Sequence, residues 1–172
     1  MQNILLIGEC GVGKTWVMRQ LLESTHNHQK IKLNKFIFTE TKFIIIVGKY
    51  DESTFQGSDR LSMAVMSDLQ LMLDYAEHVN KTTIYEGDRF TNSKFIAKAD
   101  PYIIKIAGDG ELGRKKRNSK QSSRQIKSIK TRVGNIKENI VVENSEKTLE
   151  LIRHLTVQPE PVWNSQEEEK VI

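Results

Sequence analysis

The stretch Gly8-Glu9-Cys10-Gly11-Val12-Gly13-Lys14-Thr15 constrains this chain more than any other, because it completes a G-x-x-x-x-G-K-[ST] pattern between two apolar runs of different period. Ile4-Leu5-Leu6-Ile7 leads into it. After it, Trp16, Val17, Met18, Leu21 and Leu22 recur at helical spacing, with no Gly or Pro before Gly48. Strand, glycine loop and helix therefore stand in the order the motif requires. Glycines let the backbone wrap an anion, successive N–H groups point inward, and the helix starting near Lys14 adds its positive end. The motif predicts that Gly8 to Thr15 bind ATP, with Lys14 on the β- and γ-phosphates and the Thr15 hydroxyl on Mg²⁺. Cys10 sits at a variable position of the loop, and with no base beside it packing is the simpler role.

The remaining pattern alternates strand and helix. Ile31 to Phe38 and Lys42 to Val47 read as two strands of a hairpin turning at Thr39-Glu40-Thr41. A polar loop, Gly48 to Ser58, leads to a helix expected over Leu61 to Val79, where Leu61, Val65, Leu69, Met72, Ala76 and Val79 keep steps of three or four. Met63, Met66 and Met72 are expected to fill core. Thr82 to Tyr85 reads as a strand ending in Glu86-Gly87-Asp88-Arg89, Asn92 to Ala99 as a short helix, Tyr102 to Ile106 and Ile140 to Val142 as strands, and Ser145 to Leu155 as a helix. The prediction is a three-layer α/β fold with a mostly parallel five-stranded sheet and a β-hairpin addition. Residues 1–157 form one domain, and 158–172, with Pro159, Pro161 and Glu167-Glu168-Glu169, an acidic tail expected to be disordered.

Composition narrows the class. A chain of 172 residues with 38% hydrophobic content suits one core. No aliphatic run exceeds Ile44 to Val47, far short of the roughly 18 apolar residues of a membrane span. No basic region precedes an apolar one at the start, and the single cysteine forms no internal disulfide, so a cytoplasmic protein off the membrane is expected. The formal charge of +4 hides an asymmetry: Arg114, Lys115, Lys116, Arg117, Lys120, Arg124, Lys127, Lys130, Arg132 and Lys137 fall in a stretch without an acid. Removing those ten from the chain's 26 basic residues leaves 16 against 22 acidic ones. An acidic body with one basic segment suits a polyanion, either the phosphates of one nucleotide or a nucleic-acid backbone, unless the segment is a solvated loop.

The nearest approach to a GTPase's N-K-x-D motif, Asn80-Lys81-Thr82-Thr83, lacks the Asp, and neither an L-S-G-G-Q signature nor a helicase-sized core is present. A compact phosphoryl-transfer enzyme remains. It needs a carboxylate for metal, a carboxylate for the acceptor hydroxyl and cations over the transferring group. Two Asp-Arg pairs at the carboxyl ends of strands supply them, Asp59-Arg60 and Asp88-Arg89. Asp59 is expected to orient or deprotonate the acceptor hydroxyl, with Asp51 a rival, and Asp88, aided by Glu86, to serve the Mg²⁺ with Thr15. The bland alternative is that Ser58 or Asp59 caps a helix at Leu61. His26, His28, His78 and His154 have no metal-ligand spacing, so Mg²⁺ is the only metal expected.

The order of glycine loop, acceptor loop, Asp-Arg pair and cationic insert resembles the nucleoside and nucleotide kinase group of P-loop kinases. The resemblance implies that Gly8 to Thr15 is the ATP loop, that Asp88-Arg89 is like the Asp-Arg pair of thymidylate kinases, and that Arg114 and Arg117 belong to a lid, about residues 113–137, reaching the phosphates. Thr54-Phe55-Gln56-Gly57-Ser58-Asp59-Arg60-Leu61-Ser62, together with Glu86-Gly87-Asp88-Arg89-Phe90, is similar to phage-type P-loop kinases that phosphorylate 5-hydroxymethyluracil within DNA. That implies a DNA substrate, and a host-cytoplasmic setting if the chain is phage-encoded. The surplus cations, Lys120, Lys127, Lys130 and Arg132, would meet DNA phosphates, and base contacts would fall to Tyr50, Phe55 or Phe90. The alternatives are a thymidylate-like deoxynucleoside monophosphate kinase, with the segment serving only as lid, and a regulatory ATPase whose basic arm binds nucleic acid.

Overall fold

Ile4, Leu5, Leu6 and Ile7 are completely buried, as a strand is when both faces of its sheet are covered. The structure, a computed structural model, describes residues 1–25, 27–50, 57–116 and 121–156. The chain runs β1 (Asn3–Ile7), α1 (Lys14–Glu23), β2 (His28–Leu33), β3 (Phe36–Thr41), β4 (Ile44–Val47), α2 (Leu69–His78), β5 (Thr82–Glu86), α3 (Ser93–Ala99), β6 (Tyr102–Ile106), α4 (Glu111–Lys116), α5 (Ser123–Gly134), β7 (Ile140–Val142) and α6 (Ser145–Thr156). The strands make one seven-stranded sheet in the order β2-β3-β4-β5-β1-β6-β7. From β4 to β7 every neighbouring pair is parallel, and β2-β3 and β3-β4 are antiparallel. The protein is thus α/β with a mostly parallel mixed sheet.

The two-residue period of β1 divides the core. Leu5 and Ile7 face a cluster with Leu69, Met72 and Ala76 of α2, Phe95 and Ala99 of α3, and Val133 of α5. Ile4 and Leu6 face Val17, Met18 and Leu21 of α1, and Leu149 and Ile152 of α6. Helices therefore cover both faces, and the glycine loop leaves the carboxyl end of β1, between β5 and β6.

Several expectations need correction. The run Ile31 to Phe38 is not one strand: it reverses at Asn34-Lys35, with Asn34 at φ 51° and Leu33 paired to Phe36. Asn tolerates that left-handed conformation, so a two-residue turn forms without glycine. Thr39-Glu40-Thr41 lies within β3. The next reversal is at Lys42-Phe43, where the Thr41 hydroxyl accepts the N–H groups of Phe43 and Ile44 at 3.3 and 3.0 Å. The sheet consequently has seven strands rather than five and a hairpin.

No helix starts at Leu61, whose backbone is extended (φ −77°, ψ 158°). Short 3-10 turns occupy Ser58–Arg60 and Val65–Asp68 before α2 begins at Leu69. Leu61 and Val65 are buried in the same cluster as α2, so helical spacing reflected a shared core and not one continuous helix. Capping of a helix at Leu61 by Ser58 or Asp59 falls with it. Met72 is fully buried and Met66 packs on the core, but Met63 is 78% exposed. His26 and the expected tail, residues 158–172, lie outside the described residues.

Candidate active site

The glycine loop turns from β1 into α1 through positive φ values at Gly8 (148°), Gly11 (100°) and Gly13 (103°). Gly11 is also held by space. A Cβ there would lie 2.2 Å from the Gly110 carbonyl oxygen, and one on Gly113 would lie 2.0 Å from that of Gly11. The segment entering α4 therefore sits directly on the loop. Arg114 completes this contact, its guanidinium donating to the carbonyls of Cys10 (2.8 Å) and Asp109 (2.5 Å).

Lys14, the first residue of α1, folds back along the loop, and its ammonium donates to the carbonyls of Gly8 (2.8 Å) and Glu9 (2.9 Å). Burial lowers its pKa, against the raising influence of Glu86, Cys10, Asp88 and Asp59. Next to it, the Thr15 hydroxyl donates to Glu86 Oε1 at 3.2 Å. Parallel pairing of β1 with β5 sets Leu6 beside Glu86, so the last residue of one strand meets the first turn of the helix that follows the other.

Glu86 is 3% exposed, and burial raises its pKa over the opposing effects of Lys14, Tyr50 and Thr15. The Tyr50 hydroxyl donates to Glu86 Oε1 at 2.9 Å, and its own ionisation is pushed well up by burial and then by the Glu86 charge. Gly57 closes over the pair: a Cβ there would lie 2.6 Å from Glu86 Oε1. Asp59 reaches the same place from the Ser58–Arg60 turn. Its Oδ1 is within 3.7 Å of the space above Gly87, and its charge acts on Glu86, Tyr50 and Lys14.

Lys14, Thr15, Glu86 and Asp59 are thus gathered, and Tyr50 with them. Asp88 lies farther out. Glu86, not Asp88, touches Thr15, while Asp88 Oδ2 is 3.5 Å from Arg132 of α5, both side chains about two-fifths exposed. Lys130 of the same helix lies 3.5 Å from Glu9. Two of the cations expected to meet DNA, Lys130 and Arg132, thus stand against the glycine loop and Asp88. Among the described residues Arg124 and Lys127 make no ion pair and are exposed.

Arg60 points elsewhere, lining a cleft with Lys30 and Lys49. The Arg89 Nε is buried with no hydrogen-bond partner among the described residues. Phe90 is fully buried in an aromatic cluster with Tyr85, Phe95 and Phe36, at centroid distances of 4.8 to 6.3 Å, so it is core and unavailable to a base. Asp51, Phe55, Arg117 and Lys120 lie outside the described residues. Residues that sequence reasoning did not place at the site are Tyr50 as a partner of Glu86, Lys30 and Lys49. No local motif marks them, since they arrive through strand pairing.

Hard oxygen donors from Thr15 and Glu86 suit Mg²⁺, which takes one or two protein ligands and completes its shell with phosphates and water. Among the described residues no group of three or more His, Cys, Asp or Glu side chains could hold a metal ion by itself. No protein-family model and no curated protein sequence matches this chain. Among the described residues no helix is long and apolar enough to cross a membrane.

Proposed function

We propose that this protein is an ATP-dependent P-loop kinase that transfers the γ-phosphate to a hydroxyl on DNA, the hydroxymethyl group of 5-hydroxymethyluracil. The observation that carries the kinase reading is the contact of Thr15 with buried Glu86 beside Lys14, at the mouth of a glycine loop that ends in a helix N-terminus. In this reading the loop N–H groups and Lys14 hold the β- and γ-phosphates, Lys14 exchanging the Gly8 and Glu9 carbonyls for phosphate oxygens. Thr15 and Glu86 would hold Mg²⁺. When bound, Mg²⁺ supplies charge neutralisation across the β- and γ-phosphates. Tyr50 holds Glu86 in place.

Asp59 accepts the proton of the acceptor hydroxyl as its oxygen bonds to the γ-phosphorus, the bond to the β-phosphate oxygen breaks and ADP leaves. Arg132 and Lys130, paired with Asp88 and Glu9, would meet the charge of the transferring group. Those same pairs also favour the second reading, a deoxynucleoside monophosphate kinase, because they draw the basic segment onto the nucleotide side of the site. Incubation with labelled ATP and, in turn, DNA bearing hydroxymethylated bases, unmodified DNA and each nucleotide separates the two. Label is expected on hydroxymethylated DNA and lost in Lys14→Ala. Label on a free monophosphate alone selects the second reading, and label on no acceptor overturns both.

A further inference from the structure

A cleft of about 230 Å³ opens between the antiparallel strands and the Ser58–Arg60 turn, lined by Lys30, Thr39, Lys49, Tyr50 and Arg60 among others. Three cations from three separate parts of the chain converge on it. Lys30 stands across from Thr39 in the β2-β3 register, so the two share one face of the sheet, and Lys32, across from Ile37, extends the same face. Lys49 is held at the rim by a two-way backbone bridge to Gly57, with N–O distances of 3.1 and 2.7 Å. Among the described residues neither Lys30 nor Lys49 makes an ion pair. Two lysines without an ion pair on a concave surface focus positive potential there, and Lys and Arg together recognise phosphate.

The cleft is continuous with the chemistry. Tyr50 lines it and donates to Glu86, which takes the Thr15 hydroxyl. Consecutive residues divide the work: Arg60 faces the cleft while Asp59 faces Gly87 and Glu86. A group anchored on Arg60 is therefore held within a residue's reach of Asp59. Resting on the kinase reading above, we infer that this cleft binds a phosphate carried by the acceptor, and that Lys30, Lys49 and Arg60 position the acceptor hydroxyl at Asp59.

The test uses the full chain and a Lys30→Ala/Lys49→Ala variant. Binding of a single-stranded oligodeoxynucleotide and of each deoxynucleoside monophosphate is measured over a range of salt, with Mg-ATP titrated alongside. If the phosphate is a backbone diester, oligonucleotide binding weakens and its salt slope falls by roughly 1.4, about 0.7 for each lost contact on a single strand. If it is the phosphate of a free nucleotide, monophosphate affinity instead drops about tenfold, the loss of a charged hydrogen bond. Mg-ATP affinity stays unchanged in either case. Acceptor binding unaltered in both arms overturns the inference, as does an equal loss in Lys94→Ala/Lys98→Ala, which removes the same charge from the exposed face of α3. Failure of the parent chain to bind Mg-ATP overturns the kinase reading and this inference with it, whereas bound Mg-ATP with unaltered acceptor binding overturns the cleft alone.

Discussion

Burial disfavours the charged form of Glu86 beside Thr15. Burial raises its pKa above the ordinary 4.5 despite Lys14, Tyr50 and Thr15. A carboxyl raised on folding makes the native state hold a proton that the unfolded chain has released, so stability falls as pH rises from 4.5 through the raised value. Glu86→Gln keeps an acceptor for Tyr50 and Thr15 and removes that slope. Thermal melts between pH 4.5 and neutrality should show the variant's stability flatter than the parent's and at least equal at pH 7, while Mg-dependent transfer is lost. A variant with the parent's slope and activity would refute both roles. Asp59 makes a different prediction, because in the proposed reaction it takes the proton of the acceptor hydroxyl. Asp59→Asn should slow transfer by about 10²- to 10⁴-fold with ATP affinity kept. Full activity in steady-state kinetics would remove it from the mechanism.

At the scale of elements, α5 has two sides with separate roles. Ile129 and Val133 pack inward, Arg132 and Lys130 reach Asp88 and Glu9, and Arg124 and Lys127 face out. Exposed ion pairs add little stability, so Arg132→Ala should melt like the parent. Its transfer rate should nonetheless fall by about 10²-fold, the scale for removing one preorganised donor to developing charge. Arg124→Ala on the outer side should leave the rate alone. Equal rates for the two variants in single-turnover assays would show that α5 does not reach the reacting phosphate. The charge run raised the expectation of a polyanion partner but carried no information on the direction in which the helix presents each cation. That direction comes from the inward stripe of apolar residues, which rolls Arg132 and Lys130 toward the site.

For the whole molecule, ligand binding and folding are one equilibrium. A nucleotide at about 100 times its Kd adds about 2.7 kcal/mol, which for a chain of this size moves Tm by roughly 5–11 °C. Mg-ATP should produce that shift in the parent and none in Lys14→Ala, read by scanning calorimetry. Absence of a shift in the parent would refute the nucleotide site. The sequence by itself determined the order of strand, glycine loop and helix at the start, the strands Tyr102–Ile106 and Ile140–Val142, and the helix capped by Asn92, because each is signalled within a few consecutive residues. It misplaced the turn at Asn34-Lys35 and the start of α2, where apolar spacing reports burial and not backbone conformation. Only the tertiary structure decided that Glu86 meets Thr15, 71 positions away, that Tyr50 joins them, and that Lys30, Lys49 and Arg60 share a cleft. The physical reason is sheet order: parallel pairing of β4, β5 and β1 aligns their carboxyl ends, and antiparallel β2 and β3 add a cationic wall beside them.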